Sequence, residues 1–389
     1  MRVLFLSALF PATGRPMAGI FVLRQIQALQ RLGVAAKVMT IVPVAPPISK
    51  KWAMYASIPS EYTWEGIPCL NVRAVVPPRM VFLEMVRRQF EPRLLREIER
   101  FRPDVIHAHF VLPTGVMCSN LSVPVVLTAH GGDAYSQPWQ RRDLEQAARK
   151  AVTSATKVTA VSRYIAAQVK RLGREDVTVV YNGGDETTFH TGLREDARQS
   201  LRMTLTQPVI VFAGHLLAAK GVFDLVTAAA QLPDLKPLII FAGDGPDRGR
   251  LESACRSQGV QGQFVGTIQQ VELAELFRAA DLVALPSYRE GLPAVVCEAM
   301  LAGRVVVATP VGGIPEIIID NETGVLVPAR DSSSLAHAIG TIIRNHDRRE
   351  RMERQARAFS LAHLTWRANA EAYINIYDDA IARQASATL

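Results

Sequence analysis

Short apolar runs alternate with longer amphipathic segments along the whole 389-residue chain. In the first half the runs are RVLFLSA, AAKVMTIVPV, DVIHAHF, PVVLTAH, KVTAVS and VTVVYNG. The segments between them carry apolar residues at helical spacing. One is IFVLRQIQALQRLG, whose Gly33 fits just past a helix end. This alternation predicts βαβ units on a parallel sheet. Near residues 190–207 the text turns polar, and then the pattern restarts with VIVFAG, LKPLIIFAGDG, GQFVGTI, DLVALPS, RVVVATPVGG and TGVLVPA. The expected architecture is α/β: two Rossmann-like, doubly wound parallel-sheet domains, 1–190 and 191–362, facing across a substrate cleft. Ligands on such sheets bind at the carboxyl ends of the strands. The tail 363–389 reads as a long helix packing back on the first domain. The Pro-rich stretch from Pro43 to Pro78, with Trp52 and Trp64, reads as excursions near the cleft rather than as sheet core.

Composition narrows the class. A hydrophobic fraction of 49% and a charged fraction of 21% belong to a globular protein. The four cysteines, Cys69, Cys118, Cys255 and Cys297, are far apart and form no CxxC pair. That spacing argues against a disulfide framework or a zinc site and favours a reducing compartment. MRVLFLSALFPATG superficially resembles a signal peptide, but its apolar run stops at Pro11 behind a single basic residue, so a buried first strand explains it better. No run approaches the ~18 apolar residues of a membrane span, and a cytoplasmic protein is expected. Charge is uneven: residues 1–190 hold 24 Lys/Arg against 14 Asp/Glu, and the remainder 20 against 22. The first half is therefore expected to face something anionic. The segment RMVFLEMVRRQFEPRLLREIERFR points to the inner face of a cell membrane: it sets Val81, Phe82, Met85, Val86 and Phe90 beside Arg79, Arg87, Arg88, Arg93 and Arg96. A domain-packed helix with a solvated basic face is the alternative.

Candidate chemistry gathers in the second half. In VFAGHLLAAKGVFDLV a strand ends at Gly214, and a loop carries His215 and Lys220 into a helix, so Lys220 can reach a diphosphate over the sheet edge. FAGDGPDRGRLE is a second glycine turn, at Gly243, where backbone can approach a ligand. Val265 to Ile268 offer a strand-end wall for a base. In SYREGLPAVVCEAM a helix starting near Ala294 leaves Glu290 in the preceding loop and puts Glu298 about one turn inside. The amides of Gly291 and Leu292 can meet a phosphate, while a carboxylate, with two acceptor oxygens, suits a sugar diol. In the first half His130 of LTAHGGD stands at a strand's carboxyl end. Asp133 either orients a helix start or binds acceptor hydroxyls. His107 and His109 alternate along VIHAHF and are expected on opposite faces, which excludes them as a metal pair.

These segments, in this order, resemble the retaining GT-B glycosyltransferases of family 4, and among those the bacterial enzymes of surface-polysaccharide assembly such as the teichuronic-acid types. PSYREGLPAVVCEAMLAGRVVVATPVGGIPEII is similar to the donor-site signature. GHLLAAKG, AGDGPDRGRLE, YNGGDETTF, PDVIHAHF, LTAHGGD and VTAVS fit other segments, so the resemblance covers nearly the whole chain. It implies transfer of a hexosyl group from a UDP- or GDP-sugar to a hydroxyl of a glycan or lipid-linked acceptor. The chain has no Asp-x-Asp in a metal-ligand context, so no cofactor or catalytic metal is expected, and no nucleic acid.

By position, the resemblance puts Lys220 on the donor diphosphate, Glu298 on the ribose and Glu290 on the transferred sugar, with the backbone of Gly291, Leu292, Pro293 and Ala294 near the phosphate. It favours His130 as a group of the site. Two departures stand out. His215 occupies the place of the usual arginine, and the usual glycine pair reads Ala18-Gly19, leaving Gly19 as the close-approach residue. An epimerase or a phosphorylase on the same fold is the alternative enzyme. The first would add acid/base carboxylates in the first half, and the second a lysine-bound pyridoxal phosphate; neither is evident. A basic nucleic-acid-binding protein is the alternative of another class, and it lacks interleaved aromatic and basic residues.

Overall fold

The computed structural model describes residues 1–44, 50–76, 80, 82–119 and 121–388. Arg79, Val81 and Pro78 lie outside the described residues. The chain divides into two compact units, Met1–Tyr181 with Asn369–Leu389, and Asn182–Ala368. The polar text after residue 190 belongs to the second unit and includes the helix Arg194–Ser200. Polarity there marks an exposed surface rather than the division itself.

The first unit is built on eight strands: β1 (Arg2–Ser7), β2 (Ala35–Pro43), β3 (Glu61–Trp64), β4 (Ile67–Ala74), β5 (Val105–His109), β6 (Val125–Ala129), β7 (Lys157–Ala160) and β8 (Val177–Val179). Their spatial order is β3-β4-β2-β1-β5-β6-β7-β8, and every pairing is parallel except β3 with β4. From Val3 to Leu6, β1 is wholly buried, as expected of a strand covered on both faces. The stretch from Pro43 to Pro78 departs from its reading as excursions. Within it β4 pairs with β2, and β3 folds back on β4 through Glu65 and Gly66, both at positive φ. Two such residues between strands make a hairpin turn that matches strand twist.

The tail helix Trp366–Thr388 contributes Tyr373 and Tyr377, both fully buried. From Asn369 onward it belongs to the first unit. There Lys157 at the start of β7 is ion-paired with Asp379, and Gln25 Nε2 donates to Asn369 Oδ1 at 2.7 Å.

The second unit has six parallel strands: β9 (Val209–Ala213), β10 (Leu238–Ala242), β11 (Gln261–Gly266), β12 (Leu282–Leu285), β13 (Val306–Ala308) and β14 (Gly324–Leu326). Their order is β11-β10-β9-β12-β13-β14. This is the Rossmann order 3-2-1-4-5-6, in which the winding reverses between the first and fourth strands and opens a crevice at their carboxyl ends. Here those strands are β9 and β12. In the first unit the reversal falls between β1 and β5. Among the described residues no helix is long and apolar enough to cross a membrane.

Candidate active site

The loop leaving β9 carries Lys220, and the loop leaving β12 carries Glu290. At the reversal point they meet: Lys220 Nζ lies 2.7 Å from Glu290 Oε1. Glu290 is buried and Lys220 is partly exposed. The loops are pressed together by backbone. Gly221 has φ +68°, and a Cβ there would stand 1.9 Å from the Pro286 carbonyl oxygen. Tyr288 N–H donates to the Ala219 carbonyl at 2.9 Å, and the Tyr288 hydroxyl donates to Asp224 Oδ2 at 2.8 Å. From the far side Gly312 approaches so closely that a Cβ would lie 2.0 Å from the Glu290 carbonyl oxygen, and Gly313 N–H donates to the Gly291 carbonyl at 2.7 Å.

The helix Ala294–Leu301 begins behind this loop, with no side chain capping it at Pro293. The buried Leu292 offers its carbonyl to Asn182 Nδ2 at 3.2 Å. Glu298, also buried, accepts from Gln270 Nε2 at 3.1 Å. Gly214 and Gly243 close the adjacent turns, Gly214 N–H donating to Ala242 O at 2.9 Å and Gly243 N–H to Gly266 O at 2.7 Å. One unit thus brings together Lys220, Glu290, the Gly291–Ala294 turn and Glu298. The arrangement offers a cation and a helix start to an anion, with acceptors for hydroxyls beside them.

In the first unit, His130 follows β6 and is half-buried. Its Nε2 lies 3.0 Å from His109 Nδ1, and its ring packs against Phe21 and Phe110, with centroids at 4.9 and 4.8 Å. His107 and His109 are not on opposite faces. Side chains alternate with a period of two, so residues two apart share a face, and the two rings stack at 4.2 Å. His107 Nδ1 pairs with the Tyr377 hydroxyl and its Nε2 with the Thr128 hydroxyl, each at 2.7 Å. A hydroxyl both donates and accepts, so either neutral tautomer is satisfied. Burial pushes His107 and His109 well below the usual histidine range and His130 down to about 3. The row is neutral imidazole. His109 Nε2 and His130 Nδ1 are buried without a hydrogen-bond partner.

Asp133 is buried, and its carboxylate accepts from the amides of Val111 at 2.8 Å, Gly131 at 2.6 Å and His130 at 3.1 Å. Its oxygens therefore hold the loop and the helix start, the first of the two roles open to it. Gly19 caps the helix Ile20–Arg31 at φ +66°, and a Cβ there would stand 2.2 Å from Leu9 O.

Residues 18–188 match the family described as Glycosyltransferase Family 4, and residues 194–359 match Glycosyl transferases group 1. A Bacillus subtilis protein assigned to teichuronic acid biosynthesis as a glycosyltransferase, TuaC, is 30% identical over 358 residues, covering 87% of this chain and 88% of its own. The chain belongs to the family 4 glycosyltransferases. Sucrose-phosphate synthase from Thermosynechococcus elongatus superposes with a TM-score of 0.82 at 23% identity, covering 98% of this chain and all of that one. HepE of Anabaena, solved with UDP-glucose, superposes with a TM-score of 0.74 at 22% identity, covering 100% of both chains. The fold is GT-B.

Other expected residues of this glycosyltransferase make no hydrogen bond or ion pair with Lys220 or Glu290 among the described residues. His215 is exposed on the Lys220 loop, with no side-chain hydrogen bond or ion pair among the described residues. Val265 lines a cavity of about 340 Å³ with Ile240 and Leu276. Ile268 is half-buried just before the helix Gln270–Ala279. The basic helix Leu83–Phe101 buries Val86 and Phe90 and exposes Met85, and the capping residue Phe82 before it is exposed too. Its charge is largely answered, with Arg87 paired to Glu84 and Glu91 and Arg93 to Glu61. Gln270, Tyr288 and Asp224 escaped the sequence reading. Of these only Tyr288, two residues before Glu290, carried a signal. Among the described residues no group of His, Cys, Asp or Glu converges as a metal site.

Proposed function

We propose that this glycosyltransferase moves a hexosyl group from a UDP- or GDP-sugar to a hydroxyl of a glycan or lipid-linked acceptor, with retention at the anomeric carbon. The observation that carries the reading is the Lys220–Glu290 pair at the sheet's reversal point, with Glu298 on the adjoining helix. A sugar nucleotide has hydroxyls at one end, a diphosphate between and a ribose beyond, and this cluster offers acceptor, cation and acceptor in turn. When the bond from the anomeric carbon to the diphosphate breaks, negative charge grows on the leaving oxygen. Lys220 and the amides at the start of the helix Ala294–Leu301 meet it as preorganised donors. An arriving diphosphate competes for Lys220, which frees Glu290 for the sugar hydroxyls. His215 adds a weaker phosphate contact. Within the first unit, Gly19 is the place for a close backbone approach to a ligand and His130 the group to bind a hydroxyl. No divalent ion is required by this scheme. The relative assigned to teichuronic acid biosynthesis supports a glycan acceptor, and the exposed Phe82 and Met85 beside Arg88 suit contact with an anionic lipid surface.

The test is release of UDP or GDP from a panel of sugar nucleotides in the presence of EDTA. Wild type is expected to release nucleotide, and Lys220→Ala and Glu298→Ala to lose most of that activity. Absence of release from every donor, or variants as active as wild type, overturns the reading.

A further inference from the structure

Gln270 occupies the first position of the helix Gln270–Ala279, at the carboxyl-end side of β11. That helix start is tightly fixed. Gln269 and Glu272 form a reciprocal capping box, in which Gln269 N–H donates to Glu272 Oε2 at 2.8 Å. From this fixed point Gln270 reaches across to another helix, where its Nε2 donates to Glu298 Oε1 at 3.1 Å.

The chemistry of the pair is specific. An amide N–H₂ can only donate, and an ionised carboxylate can only accept. The hydrogen bond therefore restrains the rotation of the Glu298 carboxyl group and does not itself neutralise it. A lysine or arginine in the same place would neutralise the carboxylate and weaken it as an acceptor. A carboxylate has about four acceptor positions, and Gln270 occupies one of them on Oε1. Two neighbouring hydroxyls held in a ring are met together at least cost by a carboxylate whose plane is set in advance.

We infer that Gln270 is a positioning residue that orients Glu298 to accept both hydroxyls of the nucleotide ribose, so that Gln270 governs discrimination between ribose and 2′-deoxyribose nucleotides. The inference rests on the reading of Glu298 as the ribose contact. A site built around a hydroxyl rejects an analogue lacking it, because its acceptor is left unpaired. Loosening the carboxylate costs affinity for the diol and little for the single hydroxyl.

The experiment is calorimetric titration of the full chain with UDP and 2′-deoxy-UDP, or with GDP and 2′-deoxy-GDP if guanine binds tighter. Wild type, Gln270→Ala, Gln270→Glu and Glu298→Ala are compared, with thermal midpoints confirming folding. In Gln270→Ala the ribonucleotide is expected to bind about fivefold more weakly and the deoxy form nearly as in wild type, so their ratio narrows. Donor KM rises with kcat nearly unchanged. Gln270→Glu, which sets a second acid against Glu298, weakens the ribonucleotide further. If Gln270→Ala weakens both nucleotides equally, or neither, while Glu298→Ala still abolishes the preference, Gln270 does not position Glu298 and the inference falls. If Glu298→Ala leaves the ribonucleotide affinity unchanged, the ribose reading falls, and this inference with it.

Discussion

The two units each place polar groups at the point where their sheet reverses, and they do so by opposite means. In the second unit the groups are charged, borne on loops and partly open: Lys220 holds Glu290, and backbone contacts at Gly221 and Gly312 hold the loops. In the first unit they are neutral and stacked: His107 and His109 belong to β5, and His130 ends β6. A loop-borne ion pair can exchange partners when an anionic ligand arrives, at small cost to the fold. A buried imidazole row cannot, because its polarity is tied into the core through Thr128 and Tyr377. Substitutions in the second unit should therefore change activity more than stability, and a substitution at His107 the reverse.

The largest effect separating the two is expected from Lys220→Ala. Removing one preorganised donor from a developing charge costs about 3–4 kcal/mol of transition-state stabilisation, or about 10²–10³-fold in kcat. The thermal midpoint should fall much less than kcat does, because the Lys220 side is partly exposed and water can reach part of the carboxylate it leaves. Steady-state kinetics beside a thermal melt checks both halves. A large fall in the midpoint with kcat intact would reverse the comparison.

His107→Leu is the counterpart. It strands the Tyr377 hydroxyl in the core, whereas Thr128 keeps Thr159 and Tyr373 as partners. An orphaned buried hydroxyl and the lost hydrogen bonds together cost about 2–3 kcal/mol, to be read from urea unfolding. Stability should also depend on pH through the row. Unfolded histidines take up protons as pH falls through about 6.5, while the folded rings stay neutral, His130 down to about 3. Between those limits the unfolded state binds more protons, so stability rises with pH and is lost on acidification. The slope is about 1.4 kcal/mol per pH unit for each ring, and His107→Leu should remove one ring's share. A stability flat from pH 6.5 to 4.5 would contradict the buried neutral row.

Much of this contrast was legible in the residues, and what was not has a physical cause. Parallel strands buried on both faces read as continuous apolar runs, so β1 and β9 stand out in the text. The edge strand β3 has only four residues, and its neighbour β4 carries Pro68, Asn71 and Arg73, so both read as loop rather than as sheet. Lys220, Glu290 and Glu298 could be found because loops after strands converge at a reversal point whatever their length. Gln270 could not, because its distance from Glu298 is set by how two helices start, which no local spacing encodes. The shared face of His107 and His109 was available in the period of two. The partner Tyr377 was not, since 270 positions separate it from His107.

The smallest expected effect is that of Tyr288→Phe, and it tests whether the charged region is held by backbone or by side chains. The Tyr288 hydroxyl ties the Glu290 loop to Asp224, in the first turn of the helix that follows Lys220. Its ring lies under the Arg330 guanidinium at 4.5 Å, a contact that Phe preserves. The substitution therefore removes one partly exposed hydrogen bond and nothing else, worth about 0.5–1 kcal/mol. The backbone contacts at Gly221 and Gly312 remain, and so does the Tyr288 N–H bond to Ala219. If they set the distance between Lys220 and Glu290, kcat should fall no more than about threefold and the thermal midpoint should shift only slightly. A fall approaching that of Lys220→Ala would mean that the hydroxyl, rather than the glycine contacts, aligns the pair.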